Sequence, residues 1–267
     1  MITMYQTGSA LLAENRPLLD TQPDLSAFFR LDAPLLTHTD TVNYALRCEC
    51  SGETLLALKV EPYNLLLFGS EKCIPELLAF LFDNGYEIKN YLCEAALGAA
   101  VQTCMRTRYA VSYNEALSMD FMEANTFTEP SAPEVMAATE SDVDEILECL
   151  AHFITDCGLL DSPGDRTQLQ KQITSFRVIK TDGRIVSMAQ LARETVKDCC
   201  ILAVYTRNEY RGKGYARKVV NTVKNEILAS GRRATLNVDR RNPVSCHLYT
   251  SLGFRRVFSQ SEFRRID

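Results

Sequence analysis

The hydrophobic pattern is clearest in the second half of the chain, where helical and strand-like periods alternate. Between Val143 and Ile154 the apolar residues recur at intervals of three and four, which predicts an amphipathic helix. Residues 200–204 are continuously apolar, as expected for a strand covered on both faces. The same reasoning predicts strands at 134–138, 175–180, 184–193, 197–206 and 234–238, a strand or hairpin at 254–264, a helix with its N-cap at Ser141, and helices at 166–174, 214–230 and 243–251.

The order of these elements indicates the fold class and a domain boundary. The pattern β-α-α-β-β-β-α-β-α-β is typical of an α/β domain with a mixed sheet. Pro130 and Pro133, with small polar neighbours, interrupt the periodicity just before it. Because 267 residues are comfortable for two domains, we predict an N-terminal domain of unclear role over 1–130 and a second domain over 133–267.

The first half of the chain carries less information. Strand-like runs at 43–50, 54–60 and 64–68 and helical patterns at 74–82 and 94–105 also indicate an α/β composition. Glycine-rich phosphate turns do not occur there. A degenerate duplicate of the second half is one interpretation, although the sequence shows no clear internal repeat.

A glycine-bearing turn at 211–216 carries the strongest chemical signal. It connects the apolar strand to the helix at 214–230, so its backbone N–H groups lie at a helix N-terminus, which favours phosphate. Gly212 and Gly214 let the backbone approach a ligand closely. The turn is not a dinucleotide fingerprint, because Arg217 stands where a third glycine or alanine is needed, and it lacks the Gly-Lys-Ser/Thr ending of a P-loop.

Two motif halves then point to one family. Arg211, Gly214 and Ala216 fit R-x-x-G-x-G/A, and the segment from Leu236 to Phe254 fits L-x-V-x-x-x-N-x-x-S/A-x-x-L-Y-x-x-x-G-F at the expected distance. Together they resemble the GNAT superfamily of N-acetyltransferases, over about residues 133–267. Within the superfamily, the chain is similar to predicted acetyltransferases that have an extra N-terminal domain. The resemblance implies a mixed, mostly antiparallel sheet flanked by helices.

The resemblance also implies acetyl-coenzyme A as cofactor. In the family, the last strand residues before the turn pair with the pantetheine arm, the N–H groups of the turn hold the pyrophosphate, and the asparagine and serine of the second motif face the cofactor. The residues that match these positions are Val204, Tyr205, Thr206, Arg211, Gly212, Lys213, Gly214, Tyr215, Ala216, Asn242 and Ser245. A helix N-terminus flanked by Arg211 and Lys213 suits two phosphates on physical grounds as well.

Tyr249 matches the usual general acid of the family. A phenol near the cofactor sulfur protonates the thiolate that leaves when an amine takes the acetyl group, and backbone N–H groups stabilise the oxyanion. The resemblance therefore implies N-acetylation of a primary amine by direct attack in a ternary complex. The general base stays open among Glu194, Asp198, Asn237 and Asp239, each of which also suits a turn or surface position.

Structural interpretations compete with these functional ones. Gly214 and Ala216 also suit an ordinary strand-to-helix turn, Tyr249 suits a core tyrosine, and Asn242 suits a cap of the helix that starts at Pro243. At the level of function, a non-catalytic acyl-CoA-binding or regulatory module is the alternative. The acceptor, a small molecule or a peptide amine, is not identified by the sequence.

Composition and charge limit the classes of ligand and partner that the protein can bind. Residues 200–267 carry a net charge of +9 and the rest −14, which favours an anionic ligand near the C-terminus. The pI of 5.4 and the lack of a basic–aromatic array argue against nucleic acid, and no apolar run approaches the ~20 residues of a membrane span. Ten cysteines without CxxC spacing and three scattered histidines indicate reduced thiols and no metal site. We expect a cytoplasmic protein, with a homodimer left open.

Overall fold

The computed structural model describes residues 1–158, 163–192 and 196–266. Contacts divide the chain into two compact units: unit 1 contains residues 1–120 and 258–267, and unit 2 contains residues 121–257. The domains 1–130 and 133–267 stay a prediction, since the contacts group the final residues with the N-terminal unit.

Unit 1 begins with a strand and three short helices and continues with alternating strands and longer helices. Its elements are β1 (Ile2–Tyr5), α1 (Gly8–Glu14), α2 (Arg16–Leu19), α3 (Ala27–Asp32), β2 (Tyr44–Cys50), β3 (Glu53–Lys59), β4 (Leu65–Gly69), α4 (Ile74–Asp83), β5 (Asn90–Glu94), α5 (Ala95–Tyr109) and β6 (Ser112–Ala124). The predicted strands at 43–50, 54–60 and 64–68 and both predicted helices are present. The helices between residues 8 and 32 have four to seven residues each, too short to show a helical period.

Unit 2 follows the predicted order. Its elements are β7 (Met136–Ala137), α6 (Val143–Cys157), α7 (Arg166–Gln172), β8 (Phe176–Thr181), β9 (Arg184–Ala192), β10 (Asp198–Thr206), α8 (Tyr215–Ala229), β11 (Arg233–Asp239) and α9 (Pro243–Ser251). The chain ends in β12 (Arg255–Ile266), whose residues from 258 onward belong to unit 1. The N-cap predicted at Ser141 is wrong: a short 3-10 turn precedes α6, and Thr139 caps that turn in a capping box with Asp142.

Most neighbouring strands are antiparallel. Unit 1 has the strand order β1-β2-β3-β4-β5-β12-β6, and unit 2 has the order β6-β11-β10-β9-β8-β7. The pairs from β1 to β4 and from β7 to β10 are antiparallel, whereas β4–β5 and β10–β11 are parallel. The predicted mixed, mostly antiparallel sheet flanked by helices is thus confirmed.

The two halves of the chain repeat one topology. Each runs through a strand, short helices, three strands, a helix, a strand, a helix and a final strand, and in each the parallel pair joins the fourth and fifth strands. In unit 1, β12 lies beside β5, and in unit 2, the end of β6 lies beside β11. This repeat is what a degenerate duplicate predicts, although the sequences of the halves do not reveal it.

Apolar cores cover both faces of the strands in each unit. In unit 2, Val219 and Val223 of α8 pack with Leu236 and Val238 of β11 on one face, and α6 and α7 cover the other face through residues such as Ile146. The ten cysteines are free thiols, and those at 48, 73, 93, 149, 199 and 200 are buried, where they act as small hydrophobic residues.

Candidate active site

A wedge opens between the parallel strands β10 and β11. The two strands pair only from Asp198 to Cys200, opposite Arg233 to Thr235, yet β10 continues to Thr206 and β11 to Asp239. Beyond the paired residues, the edge of β10 that faces β11 has no ladder partner in the part of the chain that the structure describes. Its backbone groups are available to an extended ligand that adds a strand between the two.

A β-bulge shapes this part of β10. The register against β9 shifts between Leu202 and Tyr205, and Ala203 adopts the left-handed conformation, with φ of +48°. A bulge bends a strand and strengthens its twist. As a result, Val204 packs in the core on the α8 face, whereas Ala203 and Tyr205 face α6.

The turn after β10 presents a row of unpaired amides. Gly212 and Gly214 have φ of +73° and +81°, with no atom within 4 Å of an added Cβ, so it is the backbone conformation that requires glycine there. The first amide of α8 to reach a backbone acceptor is that of Lys218, which donates to Gly214 O at 3.2 Å. Within the part of the chain that the structure describes, the N–H groups from Gly212 to Ala216 find no acceptor. Together with the positive end of a 15-residue helix, they form a preorganised anion site.

The two predicted cations of the turn differ in their surroundings. The Arg211 guanidinium pairs with Asp156 at 2.5 Å and donates to the Thr206 carbonyl at 3.0 Å, so its side chain ties the turn to α6 and β10. Lys213 is exposed, and its Nζ lies 5.1 Å from the centre of the Tyr210 ring. Lys213 is therefore the more accessible cation for a phosphate.

A buried arginine anchors the start of the turn. Arg207 is 3% exposed, and its guanidinium reaches Glu145 and Glu148 of α6 and the Ile185 carbonyl. The hydrogen bond to Glu148 holds the pKa of Arg207 above its usual range. Arg207 is not among the residues predicted from the sequence. The available signal is an arginine that directly follows an apolar strand, together with two acids three positions apart on a predicted helix.

The second motif half lies on β11 and α9. Asn242 caps α9, since its Oδ1 accepts the Ser245 N–H at 3.0 Å; this is the structural role weighed for it. Tyr249 is 7% exposed and packs in the same core as Val204, Tyr215 and Val238. Burial raises the pKa of its hydroxyl well above the ordinary value, so the phenol keeps its proton at neutral pH.

The candidate bases are engaged or lie outside the described residues. Asp198 pairs with Arg233 at 2.7 Å. Arg241 pairs with Asp239 at 2.8 Å and lowers the pKa of that carboxyl, which makes it a weak proton acceptor. Glu194 lies outside the described residues. Asn237 is a neutral amide whose buried Oδ1 has no hydrogen-bond partner within the described ranges.

A polar stripe on α8 was also missed. Lys224 is fully buried, and its Nζ donates to Thr128 Oγ1 at 2.6 Å and to Leu252 O at 2.8 Å. Asn221 and Asn225 donate to the carbonyls of the segment 129–130. Polar residues at helical spacing usually mark a solvated face, but here the segment 128–131 covers them and holds α8 in place.

Other kinds of site find no support in the described residues. Across 1–158, 163–192 and 196–266, no group of three or more His, Cys, Asp or Glu side chains is arranged to hold a metal ion. None of the described helices combines the length and apolar character needed to cross a membrane.

Comparisons with known proteins agree with this geometry. The family model described as FR47-like protein matches residues 182–263, which include the turn and α9, and it represents a GNAT-related domain. No curated protein matches the sequence. The resemblance to the GNAT superfamily that the two-part motif indicated is confirmed by this match and by the fold.

Solved structures share the fold over the whole chain. A GCN5-related N-acetyltransferase from Sphaerobacter thermophilus is 16% identical, with 99% of this chain and 94% of that chain covered and a TM-score of 0.65. An acetyltransferase from the GNAT family from Colwellia psychrerythraea is 12% identical, with 100% of both chains covered and a TM-score of 0.63. Likeness at this level of identity establishes the GNAT fold.

Proposed function

We propose that the protein is an acetyl-CoA-dependent N-acetyltransferase that moves an acetyl group to a primary amine. The observation that carries the proposal is the row of unpaired amides from Gly212 to Ala216 at the N-terminus of α8, beside the open edge of β10. The unpaired amides can donate hydrogen bonds to a pyrophosphate, and the open edge of β10 can pair with a ligand arm that contains amide groups. Coenzyme A has both parts in this order, with its thiol at the far end.

The cofactor residues are assigned by this fit. The backbone of Val204, Tyr205 and Thr206 borders the wedge and would pair with the pantetheine amides. The amides of the turn would hold the pyrophosphate, with Lys213 as the exposed cation. Asn242 and Ser245, at the start of α9, would face the cofactor through groups that the cap leaves free. When bound, acetyl-CoA supplies an activated thioester.

Tyr249 is the proposed general acid. Because burial keeps its hydroxyl protonated, the hydroxyl has a proton to donate to the departing thiolate. Backbone N–H groups on the open edge of β10 would stabilise the oxyanion. The amine would attack the acetyl carbon directly and release its proton to water, and the Tyr249 phenolate would regain a proton from water, so no covalent bond to the enzyme is needed.

The alternative is a non-catalytic acyl-CoA-binding or regulatory module. It shares the phosphate turn, and it needs no general base, which the described residues do not identify. A screen for thiol release from acetyl-CoA, run with a panel of diverse amines, separates the two. Thiol release with an amine supports the enzyme, whereas binding of acetyl-CoA with no release on any amine supports the module.

Tyr249→Phe tests the catalytic assignment. We expect kcat to fall at least tenfold with little change in the Kd for acetyl-CoA, because only the proton donor is lost. Tyr210→Phe is the matched control, since Tyr210 lies beside the turn but packs on Tyr215, and its kcat should not change. Unchanged turnover of Tyr249→Phe across the pH range would refute the role.

A further inference from the structure

Unit 1 contains a cavity of about 420 Å³ where β4 and β5 diverge. These parallel strands pair only at Leu65–Tyr91 and Leu66–Leu92, although β4 continues to Gly69 and β5 to Glu94. Leu67 and Phe68 of β4 and Leu97 of α5 line the cavity. A volume of this size lies in the range of small-molecule sites.

The cavity occupies the same topological position in unit 1 as the wedge does in unit 2. In both units the fourth and fifth strands are the parallel pair, and both pairs separate after two or three residues. The divergence leaves backbone groups of β4 without a ladder partner on the β5 side. Unit 1 therefore keeps a cleft with open backbone groups, which an occupant can use for hydrogen bonds.

The phosphate turn of unit 2 has no counterpart in unit 1. After β4 the Ser70 hydroxyl accepts the Lys72 N–H at 3.4 Å, and Pro75 in the first turn of α4 has no N–H to offer. Glu71 and Glu76 add negative charge around the start of this helix. An anion is disfavoured there, and coenzyme A with it.

The charges that line the cavity select a cation. Its lining includes Glu53 and Glu94, and no Lys or Arg among the described residues. Lys72 pairs with Glu53 at 2.9 Å. In the described part of the chain, the Glu94 carboxylate is exposed and makes no hydrogen bond or ion pair. The Glu94 carboxylate at the mouth thus has no hydrogen-bond or ion-pair partner among the described residues, and it stands at the N-cap of α5, whose dipole offsets part of its charge.

We propose that this cavity binds a primary ammonium compound with a small apolar body. The ammonium group pairs with Glu94, and the apolar body packs against Phe68, Leu18 and Leu25, which line the cavity and belong to one core. The site is separate from the phosphate turn, and its occupation does not depend on acetyl transfer.

Phenethylamine is a suitable probe, because it joins an ammonium group to one aromatic ring. The experiment titrates it into the full-length protein by calorimetry without acetyl-CoA, next to 2-phenylethanol and phenylacetate. We expect the amine to bind at least fivefold more tightly than the alcohol, and the acid to bind least. No binding of the amine, or equal binding of amine and alcohol, would overturn the proposal.

Substitutions locate the bound amine. Glu94→Gln should weaken phenethylamine binding by about fivefold, the upper end of the range expected for an exposed ion pair. Gln22→Trp adds bulk at the exposed rim and should also weaken it. Glu71→Gln is the matched control, since this exposed acid does not line the cavity. If both Glu94→Gln and Gln22→Trp bind phenethylamine with unchanged affinity, the amine binds elsewhere and the proposal is wrong.

Acetyl-CoA affinity, measured on the same variants, serves as the check on folding and should be unchanged. The outcome is independent of the proposed transferase activity. A protein that releases no thiol with any amine can still bind phenethylamine at Glu94, and an active enzyme can fail to do so.

Discussion

The Arg207 guanidinium donates two hydrogen bonds to the Glu148 carboxylate, Nη1–Oε1 at 2.8 Å and Nη2–Oε2 at 3.1 Å. Arg207 is almost fully buried and stands at the junction of β10 and the phosphate turn. The pair therefore fixes α6 to the point where the chain enters the candidate cofactor site.

Loss of this bidentate ion pair should destabilise the protein. Arg207→Met leaves Glu145 and Glu148 without their buried partner, so we expect the free energy of unfolding in urea to fall by about 2–4 kcal/mol. Arg184→Met is the matched control: Arg184 approaches the same two acids at 3.6–3.9 Å but is half exposed, and should cost at most ~1 kcal/mol. Equal losses in the two variants would contradict the assignment.

Two glycines at opposite ends of α8 separate backbone strain from ligand binding. Gly214 and Gly231 have φ of +81° and +78°, and neither has an atom within 4 Å of an added Cβ. Each change to Ala should therefore cost about 1–2 kcal/mol in the free energy of unfolding. Only Gly214→Ala should also weaken acetyl-CoA binding, by about tenfold, because its new Cβ lies among the turn amides. A similar Kd for acetyl-CoA in both variants would argue against the phosphate site.

The Asp142 carboxylate makes stability depend on pH. Burial opposes its charge, but the Lys180 ammonium at 2.6 Å and the Thr139 N–H at 2.9 Å outweigh burial and hold its pKa below the ordinary value. A depressed pKa gives stability that is present above the unfolded-state value of about 4 and lost as pH falls through the folded-state value. Asp142→Asn should therefore lower the free energy of unfolding by about 1–3 kcal/mol at pH 7, and the difference from wild type should shrink below pH ~4.

Urea unfolding at pH 7, 5, 4 and 3 measures this effect. Asp144→Asn is the control, because Asp144 pairs with Arg166 at the surface with its side chain 75% exposed. It should change stability little at any of these pH values. A gap between Asp142→Asn and wild type that stays constant down to pH 3 would exclude the carboxylate charge as its source.

Lys224 should contribute far more to the free energy of unfolding than Lys218 on the same helix. Lys224→Ala removes a buried ammonium group that donates to Thr128 Oγ1 and Leu252 O. Leu252 O then keeps only the 3.3 Å hydrogen bond from the Thr128 hydroxyl, so we expect a loss of about 1–3 kcal/mol in the free energy of unfolding. Lys218→Ala removes a half-exposed pair with Glu134 and should cost at most ~1 kcal/mol. Hydrogen exchange should also speed up at Ala132, whose N–H donates to Thr222, in Lys224→Ala alone.

The sequence by itself determined the elements of unit 2 and the phosphate turn. Apolar periods locate strands and helices because each element must bury one face or stripe. The turn is predicted from its glycines, because glycine adopts a positive φ without strain. Both features are local, so residues within a few positions of each other suffice to predict them. The two-part motif then led to the GNAT superfamily.

Only the tertiary structure decided which residues distant in sequence meet. The pairing of β12 with β5, the hydrogen bonds between Arg207 and Glu148, and the contacts of Lys224 with Thr128 and Leu252 all join residues separated by 28 or more positions. Sequence periodicity shows that a polar residue is present, but it does not show what comes to cover it. The cavity beside Glu94 also depends on contacts between residues distant in sequence. It lies where β4 and β5 diverge, and the position of this divergence is known only from the strand pairing.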